Sequence, residues 1–328
     1  MSLPAAIIGW GTAVPDGKVT NADLEARVDT SDAWIVERTG IRERRVAGEG
    51  ETTASLGTAA AAQAIKRAGL TPADIDLMIV ATASPEQPLP HTGAFVGEAL
   101  GLRCGSFDLS AACAGFVYEL VVAASLLQTV YDHVLIVGAE TLSRIIDPED
   151  RATTVLFGDG AGAAVMARTA GEPGLLAWDL GCDGSAAGLL EIPAGGSRLP
   201  ASVHTVAGRG HYLKMAGQEV FRRAVRVVVE SATKTLERAG VDAADVAWFV
   251  PHQANARIID AAAQRLGFGA ERALVNIDRY GNTSSASIPL ALFEAVDEGR
   301  VRDGDLVLCS GFGAGMTWAS ALIRWGAR

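Results

Sequence analysis

The strongest candidate for chemistry in this sequence is a cysteine flanked by small residues. Cys113 lies in the segment DLSAACAGF, between a strand-like stretch that ends near Leu109 and a mostly apolar stretch over 114–130 that is typical of a helix. The start of a helix carries a partial positive charge, which favours the thiolate form of a cysteine. The small neighbours leave room for a substrate. A buried structural cysteine fits the same pattern, because cysteine is among the most buried residue types.

A histidine and an asparagine are two further candidates. His252, in the sequence PHQAN, follows a strand predicted over 246–250, where the ligand-facing loops of an α/β sheet lie. Asn255 is close enough in the sequence to orient this histidine or to bind an amide. Asn282, in GNTSSAS, follows a glycine, and Gly-Asn is also a common turn signal. Taken singly, these residues do not separate a catalytic role from a structural one.

Two glycine-rich segments superficially resemble phosphate-binding loops. Residues 311–315 (GFGAG) follow a predicted strand, but too little chain remains for a dinucleotide-binding βαβ unit. Residues 158–162 (GDGAG) lack the Lys-Ser/Thr of a P-loop. We interpret both as tight turns, the first of which presents backbone N–H groups.

The elements that must position these residues are written twice along the chain. Residues 64–80 (AIKRAGLTPADIDLMIV) resemble residues 235–251 (TLERAGVDAADVAWFVP), and each copy predicts a helix ending at glycine, a short acidic link and a buried strand. Any α/β protein repeats such a unit, but further pairs recur in the same order, which favours duplication. We expect two halves, 1–172 and 173–328, each with a mostly parallel sheet covered by helices.

Composition excludes several classes of protein. The 328 residues are 49% hydrophobic and 20% charged, which is an ordinary globular composition. A net charge of −10 disfavours binding to nucleic acid or anionic membranes. We find no secretory signal and no apolar stretch long enough for a membrane span. The four cysteines lack metal-binding spacing and suit free thiols in a reducing compartment, so we expect a cytoplasmic protein.

Seven motifs occur in order along the chain, namely SDAWIVERTGIRERR (31–45), AACAGF (111–116), FGDGAGAAV (157–165), MAGQEVF (215–221), PHQAN (251–255), GNTSSAS (281–287) and GFGAGMTWASAL (311–322). Taken together, they resemble the thiolase-fold condensing enzymes, in particular the β-ketoacyl-[acyl-carrier-protein] synthase III family. The resemblance implies an α/β fold of two βαβαβαββ halves in a five-layered αβαβα sandwich. The N-terminal half (1–172) would carry the nucleophilic cysteine, and the C-terminal half (173–328) the histidine and asparagine.

The resemblance also implies a reaction, namely initiation of fatty acid biosynthesis by decarboxylative condensation. Cys113 would take an acyl group from acyl-CoA. His252 and Asn282 would stabilise the enolate that malonyl-acyl-carrier protein forms on losing carbon dioxide. The backbone N–H groups of Cys113 and Ala314 would form a second oxyanion hole, although many family members have glycine where Ala314 stands. No metal or other cofactor is implied.

Binding residues are implied in the same way. Trp34 and Arg151 match positions that sandwich the adenine of coenzyme A, and Arg38 matches a phosphate contact. Positions along the pantetheine channel are matched by Gly217 and Asn255. A local basic patch for the acidic carrier protein is matched by Arg222, Arg257 and Arg265.

One departure from the family pattern concerns substrate choice. Leu89 falls where acetyl-specific members carry a phenylalanine that reaches the active site of the other subunit, which implies a homodimer. The smaller leucine predicts tolerance of branched or longer acyl groups. Three alternatives remain. These are a degradative thiolase, a specialised-metabolism relative that uses an unusual acyl-CoA and a different acceptor, and a non-catalytic scaffold. The retained Asn282 favours condensation over plain acyl transfer.

Overall fold

The structure is a computed structural model that describes residues 2–171 and 174–327. The predicted boundary between the two halves, at 172/173, lies outside the described residues. The strands, numbered along the chain, are β1 (Ala5–Ala13), β2 (Lys18–Thr20), β3 (Glu43–Arg45), β4 (Leu77–Ala81), β5 (Gly105–Leu109), β6 (His133–Thr141), β7 (Asp159–Arg168), β8 (Leu175–Cys182), β9 (Leu190–Glu191), β10 (Lys214–Met215), β11 (Trp248–Pro251), β12 (Leu306–Gly313) and β13 (Thr317–Arg324).

Two long helices, α3 and α8, occupy equivalent places after the first strand of each sheet. The helices, in chain order, are α1 (Asn21–Glu25), α2 (Asp32–Thr39), α3 (Thr53–Arg67), α4 (Thr92–Leu100), α5 (Gly115–Leu126), α6 (Arg151–Thr154), α7 (Val203–Ala207), α8 (Gly217–Ala239), α9 (Ala256–Leu266), α10 (Ile277–Tyr280) and α11 (Ser287–Asp297). None of the helices within 2–171 and 174–327 is long and apolar enough to cross a membrane.

Two principal sheets carry the fold. The first has the strand order β1-β7-β6-β4-β5 and the second β11-β12-β13-β8. Among the main strand pairs, β4 with β5, β4 with β6, and β11 with β12 are parallel, and the others are antiparallel. Because β1 and β6 both run antiparallel to β7, and β8 and β12 both run antiparallel to β13, the other strands of each sheet share one direction. The expectation of mostly parallel sheets is therefore confirmed in strand direction, and the one reversed strand of each sheet follows its neighbour without a crossover helix.

The main elements are stacked in five layers, as the family resemblance implied. Helices α3 and α4 cover the outer face of the first sheet, and α8 and α9 cover the outer face of the second. Helices α5 and α11 lie between the two sheets and contact both. The element order βαβαβαββ holds in the first sheet. In the second, the third strand is reduced to an isolated parallel bridge between Phe249 and Ala273.

The position of α5 explains its composition. Apolar residues surround this helix on all sides, as expected for a helix that is buried between two sheets rather than at a surface. The predicted helix over 114–130 therefore exists, but it ends at Leu126. Its first turn opens beside the ends of β4, β6 and β12, so the residue that precedes it faces the junction between the two halves.

Candidate active site

The three candidate catalytic residues line one cavity. Cys113, His252 and Asn282 all contribute to a cleft of about 780 Å³, whose walls come from both halves of the chain. The three side chains are 7%, 3% and 6% exposed, so each is almost removed from bulk water. The inner end of this cleft is therefore a place where a covalent reaction can proceed with little water present.

Cys113 lies at the start of α5, as predicted, in a 3₁₀ turn over Ala112–Ala114. Burial outweighs the helix start, however, and raises the pKa of the Cys113 thiol to about 12. The thiolate form that the sequence predicted is therefore not the resting form of Cys113. The cysteine rests as a thiol, and its proton must be removed before it attacks.

His252 follows β11 and is buried against Phe312, whose ring meets the imidazole edge-on at 5.6 Å. Burial lowers the pKa of His252 to about 3, so the ring is neutral near pH 7. Its Nδ1 lies 2.6 Å from the Ser287 hydroxyl, which also accepts a hydrogen bond from the backbone N–H of Gln253. The hydroxyl proton is therefore best placed to be donated to Nδ1. That leaves the hydrogen on Nε2, so the imidazole presents an N–H donor.

Asn282 is oriented by its own loop. The backbone N–H of Ser284 donates a hydrogen bond of 2.9 Å to Asn282 Oδ1, which holds the amide oxygen against its own loop. The amide nitrogen is then the group available to the cleft. His252 and Asn282 thus provide two neutral hydrogen-bond donors, which suits the stabilisation of a developing oxyanion.

The backbone is strained or unusually close at several points around the nucleophile. Ala112 and Ser284 have φ values of +46° and +48°, a left-handed conformation that costs non-glycine residues about 1–3 kcal/mol. At the end of β12, a Cβ on Gly313 would lie 2.5 Å from the Cys113 backbone nitrogen. On β6, a Cβ on Gly138 would lie 2.6 Å from the Ser285 carbonyl oxygen. Only glycine permits both approaches.

The outer cleft has an aromatic and basic wall. The guanidinium carbons of Arg38 and Arg151 lie 4.7 and 4.8 Å from the centre of the Trp34 ring. Arg151 also donates to the Asp29 carbonyl at 2.8 Å. A purine can enter between Trp34 and Arg151 only if this guanidinium swings away, so the implied adenine sandwich is closed in this structure.

The other predicted residues are placed unevenly. Gly217, at the start of α8, lines the cleft, and Asn255 lines it while also capping α9 and bonding to the Arg38 carbonyl. Ala314 directly follows Gly313, which lines the cleft. Leu89 does not line the cleft of its own chain and is 83% exposed.

The predicted basic patch is divided. Arg222 and Arg257 line the mouth of the cleft. Arg265 lies near the far end of α9, about 12 Å along the helix from Arg257, where it borders a separate shallow depression. Within 2–171 and 174–327, no cluster of His, Cys, Asp or Glu side chains is arranged to hold a metal ion.

Four residues around the nucleophile were not predicted from the sequence to belong to the site. Ser287 fixes the imidazole, and Phe312 covers it. Ser284 and Glu140 are fully buried beside Cys113 and affect the pKa of its thiol. Three of these four lie inside recognised motifs, yet only the fold shows which neighbour each one contacts.

Comparison with known proteins decides the family. The family profile for 3-oxoacyl-[acyl-carrier-protein] synthase III matches residues 107–184, and its C-terminal counterpart matches residues 236–325. A curated β-ketoacyl-[acyl-carrier-protein] synthase III from Symbiobacterium thermophilum is 53% identical over 98% of both chains. The chain belongs to the β-ketoacyl-[acyl-carrier-protein] synthase III family. It is an acyltransferase of the condensing type that initiates fatty acid synthesis, as the sequence motifs implied.

Solved structures agree with this assignment. The 3-oxoacyl-[acyl-carrier-protein] synthase III of Aquifex aeolicus superimposes with a TM-score of 0.91 at 44% identity, covering 98% of this chain and all of that one. A priming β-ketosynthase from a polyketide biosynthetic pathway superimposes with a TM-score of 0.92 at 38% identity, covering all of this chain and 98% of that one. The thiolase-like fold predicted from the motifs is confirmed.

Proposed function

We propose that the chain joins an acyl-CoA starter to malonyl-acyl-carrier protein through an acyl-Cys113 intermediate. This proposal is supported above all by the position of Cys113, His252 and Asn282, which line one cleft of about 780 Å³. A buried thiol supplies the nucleophile, and two neutral donors supply a hole for an enolate. The covalent intermediate divides one difficult bond formation into two easier steps.

In the first step, the sulfur of Cys113 attacks the thioester carbonyl of the acyl-CoA. A carbon–sulfur bond to Cys113 forms, the bond to the coenzyme A sulfur breaks, and coenzyme A leaves through the outer cleft. The backbone N–H groups of Cys113 and Ala314 would stabilise the tetrahedral oxyanion. The position of Ala314 in the tight turn after β12 supports this assignment.

In the second step, malonyl-acyl-carrier protein occupies the same cleft. Loss of carbon dioxide leaves an enolate whose charge lies on the thioester oxygen. His252 Nε2–H and Asn282 Nδ2–H would donate to that oxygen, a contribution of roughly 3–4 kcal/mol for a donor at such a site. The enolate carbon then attacks acyl-Cys113 and releases the β-ketoacyl product.

Binding follows from the charged mouth of the cleft. Trp34, Arg38 and Arg151 would hold the adenine and phosphates of coenzyme A, with Gly217 and Asn255 along the channel. The acidic carrier protein would dock on Arg222 and Arg257, which lie at the mouth; the separate position of Arg265 makes it a more distant contact. These cations are local exceptions on a chain of net charge −10.

We further infer a homodimer in the cytoplasm. Strand β5 is the edge of its sheet, and its Phe107 is 39% exposed, which leaves a row of backbone groups for a second copy to cover. Leu89, which precedes β5 in the sequence, is 83% exposed. In a dimer it would reach the partner's cleft. A reactive free thiol suits the reducing cytoplasm. Light scattering coupled to size exclusion tests the dimer, and a monomer at micromolar concentration would contradict it.

The experiment that tests the proposed reaction is intact-protein mass spectrometry. The wild-type protein is mixed with a panel of acyl-CoAs and then with malonyl-acyl-carrier protein. We expect one acyl mass on the wild type, none on Cys113→Ala, and discharge as a β-ketoacyl-carrier product with release of carbon dioxide. The starter that gives the fastest labelling identifies the preferred acyl group.

A matched variant separates the two halves of the reaction. Asn282→Asp keeps the size of the side chain but replaces the donor with a carboxylate, so acyl-Cys113 should still form while decarboxylation falls about 10²–10³-fold. If acyl-Cys113 forms but malonyl-acyl-carrier protein does not discharge it, the reaction is acyl transfer to another acceptor, as in the specialised-metabolism alternative. If no acyl mass appears with any donor, the proposed reaction is wrong.

A further inference from the structure

The buried hydroxyl of Ser284 belongs to a turn over Ser284–Ala286 that packs against both the turn carrying Cys113 and strand β6, which carries Glu140. Ser284 is 2% exposed, and its oxygen has no hydrogen-bond partner of good geometry among the described residues. It lies close enough to Cys113 and to Glu140 to lower the pKa of both groups. Its backbone has a φ of +48°, a left-handed conformation that is unusual for serine. Nothing in the decarboxylation step uses this hydroxyl.

Glu140, at the inner end of β6, is 0% exposed and accepts hydrogen bonds from two segments, residues 82–84 and Ser285. Its Oε2 accepts from the Ser84 hydroxyl at 2.6 Å and from the Ala83 backbone N–H at 3.0 Å. Its Oε1 accepts from the Ser285 hydroxyl at 2.9 Å. No charged partner acts on Glu140 within the described residues, and the charge of Glu140 itself raises the pKa of the Cys113 thiol. Such a network holds a carboxylate without neutralising it.

The network can also hold a proton on Glu140. The Ser285 hydroxyl lies 2.9 Å from Glu140 Oε1 and 2.9 Å from the carbonyl oxygen of Ala81. One hydroxyl hydrogen cannot serve both acceptors at once. When Glu140 is charged, Ser285 donates to it, and when Glu140 is protonated, Ser285 turns to Ala81 and accepts from the carboxyl group. Both protonation states are therefore satisfied without moving the backbone.

The proposed reaction needs such an acceptor. The Cys113 thiol has a pKa near 12, and His252, with a pKa near 3, is a weak base that is better suited to donating from Nε2. Burial raises the pKa of Glu140, and its hydrogen bonds partly offset that effect, which makes it a better proton acceptor than an exposed carboxylate.

We propose that Ser284 and Glu140 carry the proton of the Cys113 thiol during the reaction, an inference that rests on the proposed function. In acylation the thiol proton passes to the Ser284 oxygen, and the Ser284 hydrogen passes to Glu140. The coenzyme A thiolate leaves and takes a proton from water. In condensation the bond between the acyl carbon and Cys113 breaks, its electron pair stays on sulfur, and Glu140 returns its proton through Ser284. The cycle takes up one proton, as the overall reaction requires.

The first test measures acylation of Cys113 as a single turnover at saturating acyl-CoA. In Glu140→Gln and in Ser284→Ala, we expect acylation at pH 7 to fall about 10²-fold or more. Because the Cys113 thiol must then lose its proton to water, the acylation rate of the variants should rise about tenfold per pH unit, while that of the wild type changes little with pH. The double variant should be no slower than the slower single variant, since both residues serve one path.

The second test uses iodoacetamide and needs no acyl donor. If Glu140 acts only as a negative charge beside the thiol, Glu140→Gln lowers the pKa of Cys113 and speeds alkylation. If Glu140 takes the proton, the same change slows alkylation near pH 7 and makes its rate rise more steeply with pH. The two roles therefore predict opposite directions.

A matched control is available in Glu119→Gln. Glu119 is also 0% exposed, lies on α5 and, within the described residues, has no hydrogen bond to Cys113, Ser284 or Glu140, so the acylation and alkylation rates of this variant should match the wild type. Thermal melts show whether each variant is folded, and Glu140→Asp should recover part of the rate. A folded Glu140→Gln that acylates within about threefold of the wild type, or alkylates faster, overturns the proposal. Slower alkylation without any acyl transfer would support the proton path while refuting the proposed reaction.

Discussion

Glu119 is a buried acid that stability measurements should detect. Its side chain lies on α5, in the layer between the two sheets, and it is 0% exposed. In the part of the chain that the structure describes, neither carboxyl oxygen has a hydrogen-bond partner of good geometry, although the backbone of Ala81 and Val137 lies nearby. Burial raises the pKa of Glu119 well above 4.5, so the group is held as a neutral acid.

The sign of the pH effect follows from this raised pKa. Above pH 4.5 the unfolded chain releases the Glu119 proton while the folded chain keeps it, so the free energy of unfolding falls as pH rises. The loss is about 1.4 kcal/mol per pH unit until the pKa of the folded state is reached. Each pH unit in that range therefore removes a sizeable fraction of an ordinary folding stability.

The assay is urea unfolding at fixed protein concentration between pH 5 and pH 9, with the midpoint and slope fitted at each pH. Glu119→Gln should remove this part of the pH dependence because an amide does not titrate. Glu119→Leu should also remove this pH dependence, and it should raise the free energy of unfolding by about 1–3 kcal/mol near pH 7, because the substitution deletes an unpaired buried polar group. A Gln variant with the same pH slope as the wild type would show that Glu119 is not kept neutral by the fold.

Three further predictions concern the cleft. Ser287→Ala removes the donor to His252 Nδ1, and it should slow malonyl decarboxylation about 3–10-fold, with acylation unchanged, in assays of carbon dioxide release; slower acylation instead would contradict the tautomer argument. Leu89→Phe should narrow the acyl pocket, and kcat/KM for isobutyryl- and hexanoyl-CoA should fall about 10–200-fold relative to acetyl-CoA. A strong acetyl preference in the wild type would refute this account. Arg257→Glu should raise KM for malonyl-acyl-carrier protein and weaken its salt dependence, while kcat changes little; an unchanged KM would remove Arg257 from the docking surface.

Much of the fold could be read from the sequence because its signals are local. The sequence predicted a strand that ends near Leu109 and a helix in the apolar stretch after Cys113, and both occur. The repeated helix–glycine–strand unit predicted two similar sheets, and both exist. One strand of each sheet, β7 or β13, runs against the others, and the sequence did not predict this reversal because strand direction depends on pairing partners that lie elsewhere in the chain.

The chemistry of the site was less accessible. The reactive residues, their order and the motifs that contain them could be identified from the amino-acid sequence, since these are properties of short segments. The resting thiol of Cys113 and the neutral ring of His252 could not, because burial in the folded protein sets the pKa of both groups. The tertiary structure also brought Ser287 to His252 across 35 residues and Ser285 to Glu140 across 145, and such contacts have no local signal. Protonation and proton transfer depend on these distant neighbours, so folding decides how the residues present in the sequence can react.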